Sequence, residues 1–239
     1  MQRMTVRWGI VGLVFLSGCA QDTLSQVCVS TESTFDIEEV SVLEDAMALS
    51  GGHDAVMVDY DTSELPEGAT WRVASVDVLM MIPAASFDSY PEDVKLAVEV
   101  FDGASPVGQQ AYVVEQTLDR ASLAWEDVTL TNPQESWDLE QRRAWWSFDF
   151  SDVISEAGMN STTFVTGVYW KYGGTATVGY SNYNRPCDRN WTDYGDSQGW
   201  VLNSERDGGI GIFVPSNGCN FPMLRVNVEV REEGRSCGP

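Results

Sequence analysis

Residues 71–82 read WRVASVDVLMMI. Ala74, Val76, Val78, Met80 and Ile82 fall at every second position, and Ser75 and Asp77 fall between them. A period of two puts the two sets on opposite faces of an extended chain, so the stretch predicts a β-strand with one buried face. The pattern recurs on both sides. Val94, Leu96, Val98 and Val100 alternate with Lys95, Ala97 and Glu99, and Ala144, Trp146, Phe148 and Phe150 alternate with Arg143, Ser147 and Asp149. Near the end, Leu224, Val226, Val228 and Val230 alternate with Arg225, Asn227, Glu229 and Arg231. Weaker strands are expected at 38–43, 54–60, 109–118, 163–171, 175–181 and 209–214. Turn residues punctuate them: Gly51-Gly52, Pro66-Glu67-Gly68, Asp102-Gly103, Gly173-Gly174 and Asp207-Gly208-Gly209.

Helix is expected only in short pieces. One is a turn or two at Asp152–Ala157, with Ser151 as N-cap and Gly158 as stop, and the other is a single turn at 44–49. Roughly ten strands with one buried face each predict an all-β chain, a single antiparallel two-sheet sandwich of jelly-roll type. A closed β-barrel is the second arrangement. No repeat, low-complexity tract or linker divides the body, which is read as one domain over 28–239.

Composition narrows the partners. The chain has 239 residues, 43% of them hydrophobic, which is enough for a core and excludes global disorder. Fourteen Lys and Arg face thirty-six Asp and Glu, a formal charge of −22. Nucleic acid is excluded as a partner, because displacing its counterions needs a basic surface.

The N-terminus has the form of an export signal. Arg3 and Arg7 precede an apolar run from Trp8 to Leu16, too short to span a hydrocarbon core of about 30 Å as a helix. The run ends in Leu16-Ser17-Gly18-Cys19, which resembles the lipobox of bacterial lipoproteins. The resemblance implies removal of residues 1–18 and acylation of Cys19, palmitate included, with residues 19–27 as a short tether. Ala20, in place of aspartate after the cysteine, implies the outer membrane. Several acyl chains, at about 0.8 kcal/mol per buried CH₂, hold a protein firmly where one does not. Cleavage also removes two bases and no acid, so the mature chain is more acidic still.

Four cysteines remain: Cys28, Cys187, Cys219 and Cys237. In an oxidising compartment they are expected to form two disulfides, for which three connectivities exist. The preferred one joins Cys187 to Cys219 across a long loop and Cys28 to Cys237 across the ends of the body, each contributing about 3.5–5 kcal/mol on chain-entropy grounds. With no C-x-x-C pair and one histidine, His53, the chain has almost no ligands for zinc or iron.

Chemistry concentrates in Ser181–Gly199, SNYNRPCDRNWTDYGDSQG, which has no strand alternation. A loop of this length is usually functional or disordered. Tyr183, Trp191 and Tyr194 can stack on sugar rings, and Asn184, Arg185 and Asp193 can bond ring hydroxyls. These six are the expected ligand-binding residues, at one end of the sandwich. Against this stands a purely packing role, with the aromatics folded back as plugs. Asp188, Asp193 and Asp196 are candidate calcium ligands, as are Asp59 and Asp61 around Tyr60, although neither spacing fits an EF-hand loop. For catalysis only loose carboxylates are available, Glu115 and the Glu126-Asp127 pair. Asn160-Ser161-Thr162 and Asn190-Trp191-Thr192 match the glycosylation sequon, by accident in a bacterial lipoprotein.

The body also resembles, in pattern, jelly-roll sandwiches found beside secreted bacterial enzymes and in surface lipoproteins. Trp145-Trp146-Ser147-Phe148-Asp149-Phe150-Ser151 and Val168-Tyr169-Trp170 carry that likeness. Many such folds bind carbohydrate, without the fold establishing it. The expectation is a monomeric, lipid-anchored, non-catalytic binding or adhesion module for polysaccharide. The alternatives are a structural lipoprotein docking onto an envelope protein, and a carboxylate-dependent glycan hydrolase or lyase.

Overall fold

The computed structural model describes residues 26–33, 44–50, 54–62, 69–132, 137–170, 175–181, 190–193, 199–202 and 221–232. The stretch at 71–82 forms β4 (Thr70–Pro83), the longest strand among them. On one side β4 pairs with β8 (Trp137–Asp149), which pairs in turn with β7 (Glu126–Asn132). On its other side lie β14 (Leu224–Glu232) along the first half and β10 (Thr175–Ser181) at Met80. β1 (Gln26–Ser33) extends the sheet beyond β14, and β2 (Glu44–Ser50) and β13 (Phe221–Pro222) both pair with β10. A second, six-stranded sheet runs β12 (Val201–Leu202), β11 (Asn190–Asp193), β3 (Asp54–Asp61), β9 (Thr163–Trp170), β5 (Lys95–Asp102) and β6 (Tyr112–Thr117). Every pairing is antiparallel.

The two sheets close on one core. Val76, Val78 and Met80 of β4, Trp146 and Phe148 of β8, and Leu224, Val226, Val228 and Val230 of β14 face Leu96, Val98 and Val100 of β5 and Phe164 and Val168 of β9. All are buried. The all-β antiparallel sandwich read from the alternation is therefore the fold, and among the described residues its two hydrogen-bonded sheets are not joined into one closed barrel.

One phase of β4 departs from expectation. Asn227 pairs with Ser75 but Val228 pairs with Val73, so Ala74 is an extra residue in the ladder. Such a bulge reverses the parity of the strand. Trp71 and Val73 consequently join Val76 and Val78 in the core, and Ala74 is only half-buried. Without the bulge the two apolar sets would point to opposite faces.

Both expected helices are absent. Residues 44–49 lie in β2, where hydrogen bonding to β10 overrides the local preference. At Asp152–Ala157 there are only turns: Val153 and Ile154 donate to the Phe150 carbonyl at 3.0 and 2.9 Å, and Asp149, rather than a Ser151 cap, accepts from the Ser151 amide at 2.8 Å. Gly158 does stop the segment, with φ +82°, and a Cβ there would lie 2.6 Å from the Trp71 carbonyl oxygen. Among the described residues the helical turns are short 3-10 pieces, Ala84–Ser89 and Arg120–Ser122. β1 and β7 carry alternation over only a few residues, Val27 and Val29 in one and Val128 and Leu130 in the other, and the expected strands at 38–43 and 209–214 lie outside the described residues.

Candidate functional site: the outer face of the six-stranded sheet

Pleating decides which side chains of the second sheet look outward. In β9, Phe164 and Val168 enter the core and Thr166 shares their side, so Val165, Gly167 and Tyr169 face away. Register carries that face across the sheet. Trp191 of β11 pairs with Met57 of β3, Met57 with Gly167, and Gly167 with Glu99 of β5. The neighbouring row runs Asp193, Ala55, Tyr169, Ala97 and Glu115.

The outer face of an antiparallel sandwich is ordinarily polar and wet. This one carries a second apolar cluster instead. Met57 and Val165 are 0% exposed and Phe101 3%, with Ala111, Tyr169, Trp191 and Trp200 packed against them. Trp200 meets the Phe101 ring edge-on, with centroids 5.8 Å apart and planes at 76°. The result is a buried apolar floor beneath three half-buried aromatic side chains. In these rows Gly167 stands between Met57 and Glu99, and Ala97 between Tyr169 and Glu115.

Those carboxylates are felt at Tyr169. Burial raises its phenol above the ordinary tyrosine value, and the negative charges of Glu99 and Asp193 raise it further. The hydroxyl therefore remains a protonated donor at neutral pH. Flat rings, a phenol donor and carboxylate acceptors on one face can hold a ring that has apolar faces and polar edges.

Of the six residues expected to bind a ligand, the structure places Trp191 and Asp193 on this face. It does so through a strand, not a loop: Asn190–Asp193 is β11, so the reading of 181–199 as free of strand is corrected there. Four residues paired to the edge of β3 are too few to show alternation. Tyr183, Asn184, Arg185 and Tyr194 lie outside the described residues, as do Asp188, Asp196, His53, Cys19, Cys187, Cys219 and Cys237. Cys28 lies in β1 opposite Val230 of β14. Among the described residues no three metal-binding side chains converge, and Asp61 is exposed at the end of β3.

The loose carboxylates separate. Glu115 is exposed on β6 in the six-stranded sheet, whereas Glu126 and Asp127 stand on β7 of the other sheet, paired with Arg143 at 3.5 Å and Arg142 at 3.0 Å. A cleft of about 320 Å³ beside β7 and β8 is lined by that Asp127–Arg142 pair, Thr129 and Glu140, with no aromatic ring.

Tyr169, Glu99, Met57 and Trp200 were not among the residues chosen from sequence. A signal for them exists. Val165, Tyr169 and Phe101 put bulky apolar groups at the outward parity of strands whose inward parity is also apolar, which marks a strand covered on both faces. No protein-family model, curated protein or solved structure matches the chain.

Proposed function

We propose that the protein is a lipid-anchored envelope module that binds carbohydrate, without transforming it, on the outer face of the six-stranded sheet. The observation that carries this reading is the grouping of Trp191, Tyr169 and Trp200 over a buried floor, next to Glu99 and Asp193. The rings supply stacking area at little entropic cost because rigid strands hold two of the three. The acids and the phenol supply directional bonds to hydroxyls.

A glycan array, run with and without calcium, tests the reading. The intact body is expected to retain at least one polysaccharide class, and Trp191→Ala to weaken it by about tenfold or more, the equivalent of roughly 1.4 kcal/mol. Retention of no glycan at all overturns the proposal and favours a protein partner. Product release from a polysaccharide favours the enzyme.

Anchoring is tested separately. Protein extracted from membranes is expected to begin at Cys19 with acyl mass added, and Cys19→Ala to move it from the detergent phase to the aqueous phase. With so few bases, the body has little electrostatic attraction of its own for anionic lipid. An unmodified Cys19 in the mass spectrum removes the anchor from the proposal.

A further inference from the structure

We infer that Arg225, on the outer face of the sheet that holds β4, anchors a second binding site, which takes the carboxylate of a small organic acid. The site lies on the other sheet from the carbohydrate face and is independent of it. Leu224 and Val226 of β14, Val76, Val78 and Met80 of β4, and Trp146 and Phe148 of β8 enter the core. Alternation therefore turns Arg225, Asp77, Leu79, Trp145 and Ser147 outward. Arg225 reaches Trp145 across the intervening strand β4, and its guanidinium carbon stands 3.9 Å from the centre of the indole. Leu79, the ladder partner of Trp145, is 0% exposed on that face.

The hydrogen bonds of this guanidinium are unmade. Arg72, Arg120, Arg142, Arg143 and Arg231 each form an ion pair with a carboxylate. Arg225 is half-buried and stacked, yet no group accepts a hydrogen bond from it, and none of its nitrogens is sealed from solvent. Asp77, directly opposite in the ladder, accepts instead from the Asn227 amide at 3.5 Å. Burial pulls Arg225 below the ordinary arginine value and the charge of Arg143 adds to that, against the opposing charges of Asp77 and Glu126. A partly desolvated cation without hydrogen-bonded partners is costly, and an anion that completes its bonds offsets the cost. The guanidinium fork fits a carboxylate through two parallel N–H···O bonds, and the indole fixes its plane in advance. At long range a chain of formal charge −22 repels polyanions, which limits the ligand to one with a single carboxylate.

Propionate and propionamide, alike in shape and different in charge, test the site on the intact protein by NMR. The Arg225 Nε–H signal, assigned by its loss in Arg225→Lys, is expected to shift with propionate, with half-saturation on the order of 10 mM or below. Propionamide should need at least about tenfold more to give the same shift. Arg225→Lys keeps the charge but loses the fork, and should weaken propionate binding several-fold, followed at the Trp145 indole N–H. Trp145→Phe, which assigns that indole signal and leaves a ring to stack on, should preserve the preference for acid over amide. An equal response to acid and amide overturns the inference, as does no response to propionate or an unchanged affinity in Arg225→Lys. Sulfate or polygalacturonate bound more tightly than propionate shows a site for other anions and overturns the assignment to a single carboxylate. None of these results bears on glycan binding at the six-stranded sheet, which the array and Trp191→Ala test.

Discussion

Phe164→Ala is expected to lower the unfolding free energy by about 3–5 kcal/mol, and the melting temperature by roughly 10 °C. The ring is 0% exposed. It stacks on Tyr60 with centroids 4.9 Å apart and planes at 7°, and sits 5.4 Å from Trp71 at 42°. Tyr60 comes from β3 and Trp71 from β4, so the ring fills the space where the two sheets meet. Removing it costs its transfer free energy and leaves a cavity that two hydrogen-bonded sheets cannot close by collapsing locally. Urea titration checks the result: the midpoint should fall while the slope stays the same. Val107→Ala, on a side chain 57% exposed, is the companion measurement and should change stability by less than about 0.5 kcal/mol. A loss under about 1 kcal/mol for Phe164→Ala would show that the ring does not sit at the sheet–sheet contact.

The second large effect lies in an ion network on the end of the other sheet. Arg72 of β4 meets Glu229 of β14 at 2.7 Å, and their side chains are only 11% and 10% exposed. The same guanidinium donates to the carbonyls of Ser151 and Ile154, at 3.1 and 3.0 Å. Arg231 closes the network, 2.8 Å from Glu229 and 2.8 Å from Glu156. Arg72 therefore ties β4 to β14 and holds the turn that follows β8. Arg72→Ala is expected to cost about 2–4 kcal/mol, because it leaves two carbonyls without their donor and the largely buried Glu229 with Arg231 as its one remaining cation in this network.

The network also sets the acid limit of stability. Burial pushes Glu229 toward a higher pKa, but hydrogen bonds from Arg231 and Arg72 and their positive charges outweigh it, and the carboxyl is held below the ordinary glutamate value. Glu156 is lowered by its hydrogen bond and charge contact with Arg231, and Asp149 by the Ser151 amide and hydroxyl. A carboxylate whose pKa is depressed on folding stabilises above its unfolded value of about 4.3, and loses that contribution as pH falls through the folded value. Stability should thus be level near neutrality and fall steeply in acid. Glu229→Gln should lower the neutral plateau and flatten the acid limb. An acid limb of unchanged slope in Glu229→Gln would remove Glu229 from that role.

Much of this molecule is legible from local pattern. The strands β4, β5, β8 and β14 announce themselves because one residue in two is buried, and that spacing survives in the sequence whatever the partners are. β3, β6, β9 and β10 are found on weaker versions of the same signal. What escapes are segments whose structure is imposed from outside. β11 is four residues, Asn190–Asp193, and is a strand because β3 offers it an edge. β2 is a strand because β10 does. Backbone hydrogen-bonding groups are the same for nearly every residue, so a sequence does not display which edge a short segment joins.

The candidate site divides along the same line. Trp191 and Asp193 stand out by residue type within an unpatterned stretch. Glu99 and Tyr169 sit inside well-patterned strands and become a site only when the register sets them on one face with Trp191. Trp200 reaches Phe101 across a separation of about a hundred residues that no local pattern spans.

By itself, then, the sequence determined the class of the fold, its acidity and the faces its long strands bury, since each follows from residues within a few positions of one another. The tertiary structure alone decided the parity switch at Ala74, which brings Trp71 and Val73 into the core, and the aromatic floor outside the second sheet. Both depend on which strand lies beside which, and that choice is made by the whole chain as it minimises exposed apolar surface and unpaired backbone together.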